Sequence, residues 1–481
     1  MLNLLRKITP GFVLDIYHRF LAVLADFWYG HPSRKLVVIG VTGTNGKTTT
    51  SYMIAKALEA EGAKTGCATT ALFKVADKEW LNDAKMTMLG RFALQKLLKQ
   101  MVDAGCEYAV IETSSQGIVQ HRHEKIAYDI GVFTNLTPEH IEAHGGFENY
   151  KQAKIKLFKH LAKLPGKVVA WQRAPRASVL NADDEQAKDF AVQGITHVLW
   201  YGADKPADLN ARNIQADARG VSFDLAVAAQ DQNPEQAYNL PVRLNVLGRV
   251  NVYNALAAFC VARICGVDLR LAADKLEAVK SVPGRFEMID VGQPWQVMVD
   301  YAPEPESLKK LYETIDALKA ERIIHVLGSC GGGRDVARRA VLGEMAGRKA
   351  QMVIVTNEDP YDDDPMSIIR QVAEGAVKAG KRQDENLFLI LNRAQAIQKA
   401  MELARPGDLV LLTGKGCEQF MCVEKGQKIP WDEREEACLL YTSDAADDLL
   451  CVDLGGRRSI KKKKHKKTQL LALNDNHSSV H

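Results

Sequence analysis

Residues 40–50 read Gly-Val-Thr-Gly-Thr-Asn-Gly-Lys-Thr-Thr-Thr and follow an apolar run at residues 36–39. This order predicts a buried strand, a glycine-rich turn and the first turn of a helix. Backbone N–H groups in such a turn close on phosphate oxygens, a lysine supplies positive charge, and a threonine hydroxyl reaches a magnesium ion. The pattern therefore predicts a nucleoside-triphosphate site built from Gly43, Thr44, Asn45, Gly46, Lys47, Thr48 and Thr49.

The match to the general phosphate-loop pattern has one departure, since Val41 stands where that pattern has glycine. The alternative is a glycine-rich turn that binds nothing. The preceding strand and a helix predicted from residue 51 to residue 60 favour phosphate binding.

Composition places the chain among ordinary globular proteins. Its 481 residues predict two or three domains, with 46% apolar and 25% charged residues. The net charge is only +4, and residues 438–481 hold eight Lys/Arg against five Asp/Glu, so nothing indicates a nucleic-acid partner. Nine cysteines without a Cys-x-x-Cys pair predict reduced thiols in a cytoplasmic protein.

Strand-like and helix-like runs alternate from residue 36 to residue 283, which predicts an α/β fold: a phosphate-loop central domain with a mainly parallel sheet. After Pro283-Gly284 the alternation resumes, and residues 284–437 predict a smaller, Rossmann-like α/β domain. Its loops at residues 328–333, 357–364 and 414–418 follow predicted strands, so we expect them to face one ligand.

The two ends of the chain differ from this pattern. Residues 1–35 contain a predicted amphipathic helix at 11–29, with Asp15, His18, Arg19 and Asp26 on one face. We expect this helix to dock on the rest of the chain or on a partner, in preference to a membrane surface. Residues 438–481 lose the periodicity. A basic binding arm is one interpretation; we favour a disordered or artefactual tail, because residues 440–464 resemble translated adapter sequence.

Taken together, the motifs of residues 35–436 resemble the Mur ligase family, and within it the type that adds the third residue of the peptidoglycan peptide. The motifs are Gly43-Thr-Asn-Gly-Lys-Thr-Thr49, Glu112-Thr-Ser-Ser115, Thr134-Asn-Leu-Thr-Pro-Glu-His140, Ala153-Lys154, Asn181-Ala-Asp-Asp184, Gly248 with Asn251 and Asn254, Gly284-Arg285, Asp300-Tyr-Ala302 and Gly414-Lys-Gly416.

The resemblance implies a reaction in which ATP phosphorylates a carboxylate and an amine then displaces phosphate. Thr48 and Glu112 would hold one Mg²⁺, while His140 and Lys154, carbamylated by carbon dioxide, would serve a second. Lys47, His140, Lys154 and Arg285 would be catalytic. The alternative for Lys154 is a solvated helix lysine.

The same resemblance assigns the remaining binding residues. Asn254, supported by Asn251, would read adenine, with helix capping as the alternative. Arg285 and Asp300 would reach the γ-phosphate and ribose. Thr87, Ser114, Ser115, Gln120 and Arg122 would hold the UDP-muramoyl-peptide acceptor, with a surface arginine as the alternative for Arg122. Arg339, Asp359, Tyr361, Asp362, Gly414 and Glu418 would hold the incoming amino acid.

The chain departs from the family pattern at three places. Only residues 1–35 precede the central domain where the family has a uridine-binding domain, so we expect the uridine end to bind elsewhere, weakly or not at all. Glu358-Asp359-Pro360-Tyr361, followed by aspartates at 362–364, replaces the Asp-Asn-Pro-Arg of diaminopimelate-adding members, which predicts a lysine-like diamino acid. The alternative is that these acids cap the next helix, from Met366 onward. Cys417 replaces a histidine, and Pro303-Glu304 replaces His-Thr.

Two alternatives remain open at this point. One is a related ligase for a folate or lipid-linked substrate. The other is a non-catalytic, regulatory ATP-binding protein, which retention of Lys47, Glu112, His140 and Lys154 argues against.

Overall fold

The computed structural model describes residues 11–138, 144–169, 172–229, 237–333 and 335–444. The helices are α1 Gly11–Trp28, α2 Lys47–Leu58, α3 Arg91–Asp103, α4 Ser115–Val119, α5 Phe147–Lys163, α6 Val250–Ile264, α7 Leu269–Glu277, α8 Pro305–Ile315, α9 Ala337–Lys349, α10 Pro365–Lys378, α11 Arg393–Leu403 and α12 Glu433–Asp444.

The strands of the first half are β1 Val37–Thr42, β2 Thr65–Ala68, β3 Leu72–Val75, β4 Lys78–Leu81, β5 Tyr108–Glu112, β6 Ile130–Phe133, β7 Val168–Val169, β8 Gln172–Arg173, β9 Ala177–Asn181, β10 His197–Gly202, β11 Leu209–Asp217, β12 Gly220–Val227 and β13 Tyr238–Leu244. Those of the second half are β14 Glu287–Ile289, β15 Gln296–Asp300, β16 Ile323–Leu327, β17 Met352–Thr356, β18 Leu387–Ile390, β19 Leu409–Thr413, β20 Phe420–Cys422 and β21 Lys428–Pro430.

The large sheet has eleven strands in the order β13-β12-β11-β10-β9-β6-β1-β5-β2-β3-β4. Its middle is parallel, from β11 through β1 to β2, and antiparallel strands close both edges. The prediction of a mainly parallel sheet is therefore confirmed. Every residue of β1 is buried, as expected for a central strand covered by helices on both faces.

The second sheet has six strands in the order β14-β15-β19-β16-β17-β18, parallel except for the β14–β15 pair. Helices α9 and α10 pack tightly on each other, because Gly343 and Gly375 let their backbones approach. The smaller α/β domain predicted after Gly284 is confirmed.

At the two ends of the chain, the predicted N-terminal helix is present and the last helix extends past the predicted start of the tail. The helix predicted at residues 11–29 forms α1, but its polar side contacts the chain while its large apolar side chains are exposed. Helix α12 continues beyond residue 437, so the start predicted for the tail lies inside a helix; residues 445–481 lie outside the described residues. Among described residues, no helix combines the length and apolar character that crossing a membrane requires.

A buried histidine in the second sheet should make stability depend on pH. His325 is fully buried, with Nδ1 2.8 Å from the Tyr312 hydroxyl and Nε2 2.9 Å from the Thr413 hydroxyl. Burial, together with the nearby Arg393 charge, lowers the pKa of His325 to about 3. The unfolded chain binds a proton near pH 6.5, so stability is fully present above that pH and is lost as pH falls toward 3.

We therefore expect the H325N variant to have a flatter pH dependence of the free energy of unfolding. Below pH 6.5 its slope should be shallower than that of the unchanged protein by about 1.4 kcal/mol for each pH unit. Urea unfolding at several pH values measures this slope. The exposed His197 provides the matched control H197N, and equal slopes in all three proteins would contradict the expectation.

Candidate active site

The glycine-rich loop connects β1 to α2 and leaves no room for larger residues at two positions. Gly43 has φ +148°, and a Cβ there would lie 1.9 Å from Thr134 Oγ1. Gly46 has φ +80°, and a Cβ there would lie 2.6 Å from Asn254 Oδ1. Glycine alone satisfies both the backbone conformation and the space. Val41, the departure from the general pattern, is a buried residue of β1 that pairs with β5 and β6.

Thr134 and Asn135, which directly follow strand β6, hold the glycine-rich loop in place. The Asn135 side chain accepts from Asn45 N at 2.9 Å and donates to Asn45 O at 3.1 Å, and its carbonyl accepts from Thr44 N at 2.8 Å. Thr134 Oγ1 donates to Asn45 O at 2.7 Å. Both residues belong to a recognised motif, yet sequence reasoning gave them no role.

Lys47, Thr48 and Glu112 lie together at the start of α2. Lys47 Nζ donates to Thr44 O at 2.6 Å, and Thr48 Oγ1 donates to Glu112 Oε2 at 2.9 Å. The carboxylate is 2% exposed and also accepts from the Thr70 amide and hydroxyl. A hydroxyl beside a buried carboxylate is an oxygen donor set that suits Mg²⁺, which takes one or two protein ligands beside substrate phosphates and water. Thr48 and Glu112 therefore fit the predicted magnesium site.

Lys154 reaches the same loop from α5. Its side chain is 1% exposed, and its Nζ donates to Gly43 O at 2.6 Å and lies 4.3 Å from the centre of the Tyr150 ring. The interpretation as a solvated helix lysine is therefore wrong. His140, the other residue predicted for the second metal, lies outside the described residues.

His144 connects this region to the predicted acceptor residues. Its Nε2 lies 3.1 Å from Ser115 Oγ, and its ring stands 5.2 Å from that of Tyr150. Burial, with a smaller effect of the Lys154 charge, lowers the pKa of His144, which favours the neutral ring.

The two asparagines predicted near adenine brace α2 against α6. Asn254 Oδ1 accepts from Thr50 Oγ1 at 2.9 Å, and Asn254 Nδ2 donates to Asn251 Oδ1 at 2.8 Å. Both side chains are buried, and the N-cap of α6 is Arg249. Helix capping, the alternative interpretation, is therefore wrong for both. Their packing places the start of α6 directly behind the loop.

Arg285 brings the second domain to the phosphate loop. Its Nη2 lies 3.4 Å from Thr48 Oγ1, and its guanidinium stacks 4.6 Å from the centre of the Tyr301 ring. Asp300 accepts from Phe286 N and Ala302 N, each at 2.8 Å, and so braces the segment that carries Arg285. Burial raises the pKa of Asp300, although the Arg285 charge opposes the rise.

The residues predicted for the acceptor are grouped near Glu112. Thr87 Oγ1 lies 3.1 Å from Thr70 Oγ1, and the Thr70 hydroxyl in turn donates to Glu112. Ser114 caps α4 by accepting from Gly117 N at 3.1 Å. Arg122 is half-buried rather than a free surface side chain, and its guanidinium donates to Gln120 Oε1 at 2.6 Å and to the Met88 carbonyl.

Two of the residues predicted for the incoming amino acid, Asp359 and Glu418, belong to a buried charge cluster that sequence reasoning did not anticipate. Asp359 Oδ1 accepts from Lys415 Nζ at 3.1 Å, and Asp359 Oδ2 accepts from Lys85 Nζ at 2.5 Å. Glu418 Oε2 lies 2.7 Å from Lys415 Nζ and 3.3 Å from Lys85 Nζ. Lys85 comes from the first domain, so no local pattern could have found its partners.

These contacts shift the pKa values of the charged groups in the cluster. Burial would raise the pKa of Asp359, but Lys415 and Lys85 hold it below its ordinary value. Burial would lower the pKa of Lys85, but Glu418 and Asp359 raise it. At Glu418 the effect of burial outweighs that of Lys415 and Lys85, and the pKa of its carboxyl is raised.

Of the other residues predicted for the amino acid, Arg339 lies in the first turn of α9 and the rest lie on the surrounding loops. Arg339 is 4% exposed and donates to Cys330 O at 3.0 Å and to Gln371 Oε1 at 2.9 Å. Asp362 accepts from Lys425 N at 2.8 Å. Tyr361 has φ +53°, and a Cβ on Gly414 would lie 2.3 Å from Glu358 Oε2. The loops therefore meet as predicted, but the acidic side chains are largely engaged within the protein.

Asp364 serves the helix that follows. Its side chain accepts from Met366 N and Ser367 N, each at 3.1 Å, at the N-terminus of α10. We expect D364A to lower the free energy of unfolding by about 1 kcal/mol, because those amides lose their acceptor. Urea unfolding measures the loss, and D364N, which retains a capping oxygen, should recover most of it. An unchanged D364A midpoint would contradict this assignment.

Comparisons with known proteins agree over both domains. Residues 41–262 match the Mur ligase middle domain, and residues 284–416 match the Mur ligase, glutamate ligase domain. A UDP-N-acetylmuramyl-tripeptide synthetase of Roseiflexus sp. is 41% identical over 87% of this chain and 81% of its own length. A UDP-N-acetylmuramoyl-L-alanyl-D-glutamate–2,6-diaminopimelate ligase of Halalkalibacterium halodurans is 35% identical over 89% and 82%. A solved structure of a ligase with that name has 27% identity and a TM-score of 0.56, covering 86% of this chain and 79% of its own.

Proposed function

Because this chain belongs to the Mur ligase family, we propose that it joins an amino acid to the terminal carboxylate of a muramoyl dipeptide in peptidoglycan synthesis. ATP would phosphorylate that carboxylate, and the amine of the amino acid would then displace phosphate. One observation supports this most directly: Lys47, Thr48 with Glu112, Lys154 and Arg285 reach one loop from two domains.

Each of these residues has a task that follows from its position. Lys47, freed from Thr44 O, would place its ammonium on the β- and γ-phosphates, where negative charge spreads during transfer. Arg285 would approach the γ-phosphate from the second domain, and the Tyr301 ring and Asp300 would hold it in position. Closure of the two domains would exclude water from the acyl phosphate.

Thr48 and Glu112 would hold one Mg²⁺, and Lys154 with His140 would serve a second. Bound magnesium neutralises phosphate charge and aligns the phosphate oxygens. We propose that Lys154 is carbamylated, which converts a buried ammonium into an anionic oxygen donor. A carbamate nitrogen keeps one N–H, which suffices for the bond to Gly43 O.

We propose that Thr87, Ser114, Ser115, Gln120 and Arg122 position the acceptor, because Thr87 is linked through Thr70 to Glu112 and Arg122 contacts Gln120. Arg122 supplies a guanidinium for a phosphate or carboxylate of the acceptor. Asn254 and Asn251 would line the part of the site that holds adenine, and Asp300 would lie near the ribose.

We propose that a lysine-like diamino acid is the preferred amine. Lys85 Nζ shows that an ammonium fits between Asp359 and Glu418, and withdrawal of Lys85 would leave that place to a substrate side chain. Arg339 would face the α-carboxylate. Tyr361 replaces the arginine that would favour a second carboxylate.

Incorporation of lysine, ornithine and diaminopimelate by purified protein, with UDP-muramoyl dipeptide as acceptor, tests this selectivity. We expect lysine or ornithine to give the larger kcat/KM, and Y361R to shift the ratio toward diaminopimelate by about tenfold. Y253F, a matched replacement of a tyrosine outside these loops, should leave the ratio unchanged. A preference of the unchanged protein for diaminopimelate would refute the selectivity and leave the ligase activity standing.

We further propose that the protein works in the cytoplasm, where ATP and reducing conditions prevail, and the described cysteines are all free thiols. No nucleic-acid partner is proposed. If ATP is hydrolysed only with a folate or lipid-linked acceptor, the related ligase is the better assignment. ATP binding without turnover on any acceptor would favour the regulatory protein.

A further inference from the structure

Helix α1 exposes an unusually wide apolar surface. Nine of its large apolar side chains are between 37% and 72% exposed: Phe12, Val13, Ile16, Tyr17, Phe20, Val23, Leu24, Phe27 and Trp28. At 3.6 residues per turn, these positions form one continuous arc of about 160° along roughly 27 Å of helix. The arc, called the apolar face below, contains no charged residue.

The opposite side of α1 is already occupied by the protein. Asp15 lies 3.2 Å from His121 Nε2, Arg19 lies 3.6 Å from Glu124, and Ala22 and Ala25 are buried. Asp26 pairs with His31 at 2.6 Å. Because Ala22 and Ala25 are buried and Asp15 and Arg19 contact the first domain only at their tips, the apolar face of α1 is directed outward, which is the reverse of an ordinary surface helix.

We infer that the apolar face of α1 binds an anionic membrane surface. A partner helix covers the narrow stripe used in coiled coils and would leave the flanks of so wide an arc exposed. A lipid surface covers half of a helix that lies in its plane. Five of the nine residues are aromatic, as in interfacial helices.

Charge around the helix is complementary to anionic lipid. Residues 1–35 hold five Lys/Arg and two Asp/Glu, and of the basic residues Arg34 and Lys35 are exposed shortly after the helix. Asp15 and Asp26 are the two acids, and both face histidines on the docked side. The basic side chains would therefore strengthen binding to an anionic surface.

Co-sedimentation of the full chain with vesicles tests this inference. With phosphatidylcholine and phosphatidylglycerol at about 7:3, we expect the protein to pellet, and F20E/F27E to lower the partition coefficient by about tenfold or more. The control V168E/V377E adds the same charge at exposed apolar positions outside α1 and should bind as the unchanged protein does. Vesicles of phosphatidylcholine alone should bind less protein.

The inference would be overturned if the unchanged protein did not pellet with vesicles, or if F20E/F27E pelleted equally well. It would also be overturned if vesicles bound neither protein and light scattering showed a dimer of the unchanged protein that F20E/F27E dissociates. Acceptor-dependent ADP formation without vesicles should be the same for F20E/F27E and the unchanged protein. Failure of membrane binding is therefore distinguishable from failure of the proposed ligase activity.

Discussion

Replacing Lys47 with methionine is expected to lower kcat for ADP formation by about 10³-fold or more. The lysine ammonium would compensate the charge of the transferring phosphoryl group, and methionine keeps the length of the side chain without its charge. Lys47 Nζ contacts only Thr44 O among the hydrogen bonds described, so the fold should tolerate the change. Steady-state kinetics with saturating acceptor and amino acid provide the measurement.

Lys56 supplies the matched control for this prediction. It lies on the same helix, α2, and pairs with Glu79 at 2.6 Å near the surface. K56M should retain kcat within about twofold, since surface ion pairs contribute little. Equal kcat values in K47M and the unchanged protein would show that Lys47 has no catalytic role.

The second large effect is expected at Lys154. K154A should lower kcat by about 10²- to 10³-fold, because the buried site loses both the contact to Gly43 O and the proposed oxygen donor. If the carbamate is the active form, acetate or formate should restore part of the activity of K154A. Removing carbon dioxide from the buffers should also lower the activity of the unchanged protein.

Lys151 distinguishes this role from a general effect of charge on α5. It pairs with Glu148 and Asp189 near the surface, and K151A should keep full activity. Mass spectrometry of the intact protein at neutral pH should show an addition of one carbon dioxide that K154A lacks. Full activity of K154A without added carboxylates would contradict the assignment, while an inactive K154A that no carboxylate rescues would contradict the carbamate.

The buried parallel strands could be predicted, because the signal for each of them lies within one short segment of the sequence. Strands β5, β16, β17 and β19 fall in short, largely apolar runs, the signal from which a buried parallel strand can be predicted. The antiparallel edges were not predicted. Strand β4, for example, is only four residues long and largely exposed, so its sequence is too short for a period-two pattern, and its pairing with β3 is set by the turn between them.

The site shows the same division. The phosphate loop could be predicted because one short segment supplies both its backbone and its cation. The contact of Lys85 with Asp359 could not, because 274 residues separate the two and each is ordinary in its own surroundings. The amphipathic pattern of α1 could be recognised in the sequence, but the pattern does not tell which of the two faces contacts the protein. The contacting face includes the small, buried residues Ala22 and Ala25, which permit close approach of the helix to the rest of the chain.

Transfer of oxygen from the acceptor carboxylate to phosphate is the most direct test of the proposed reaction. A muramoyl dipeptide labelled with ¹⁸O in its terminal carboxylate, incubated with ATP, magnesium and lysine, should release inorganic phosphate that carries one ¹⁸O atom. This result requires an acyl phosphate. Unlabelled phosphate accompanying amide formation, or label found in AMP, would contradict the account.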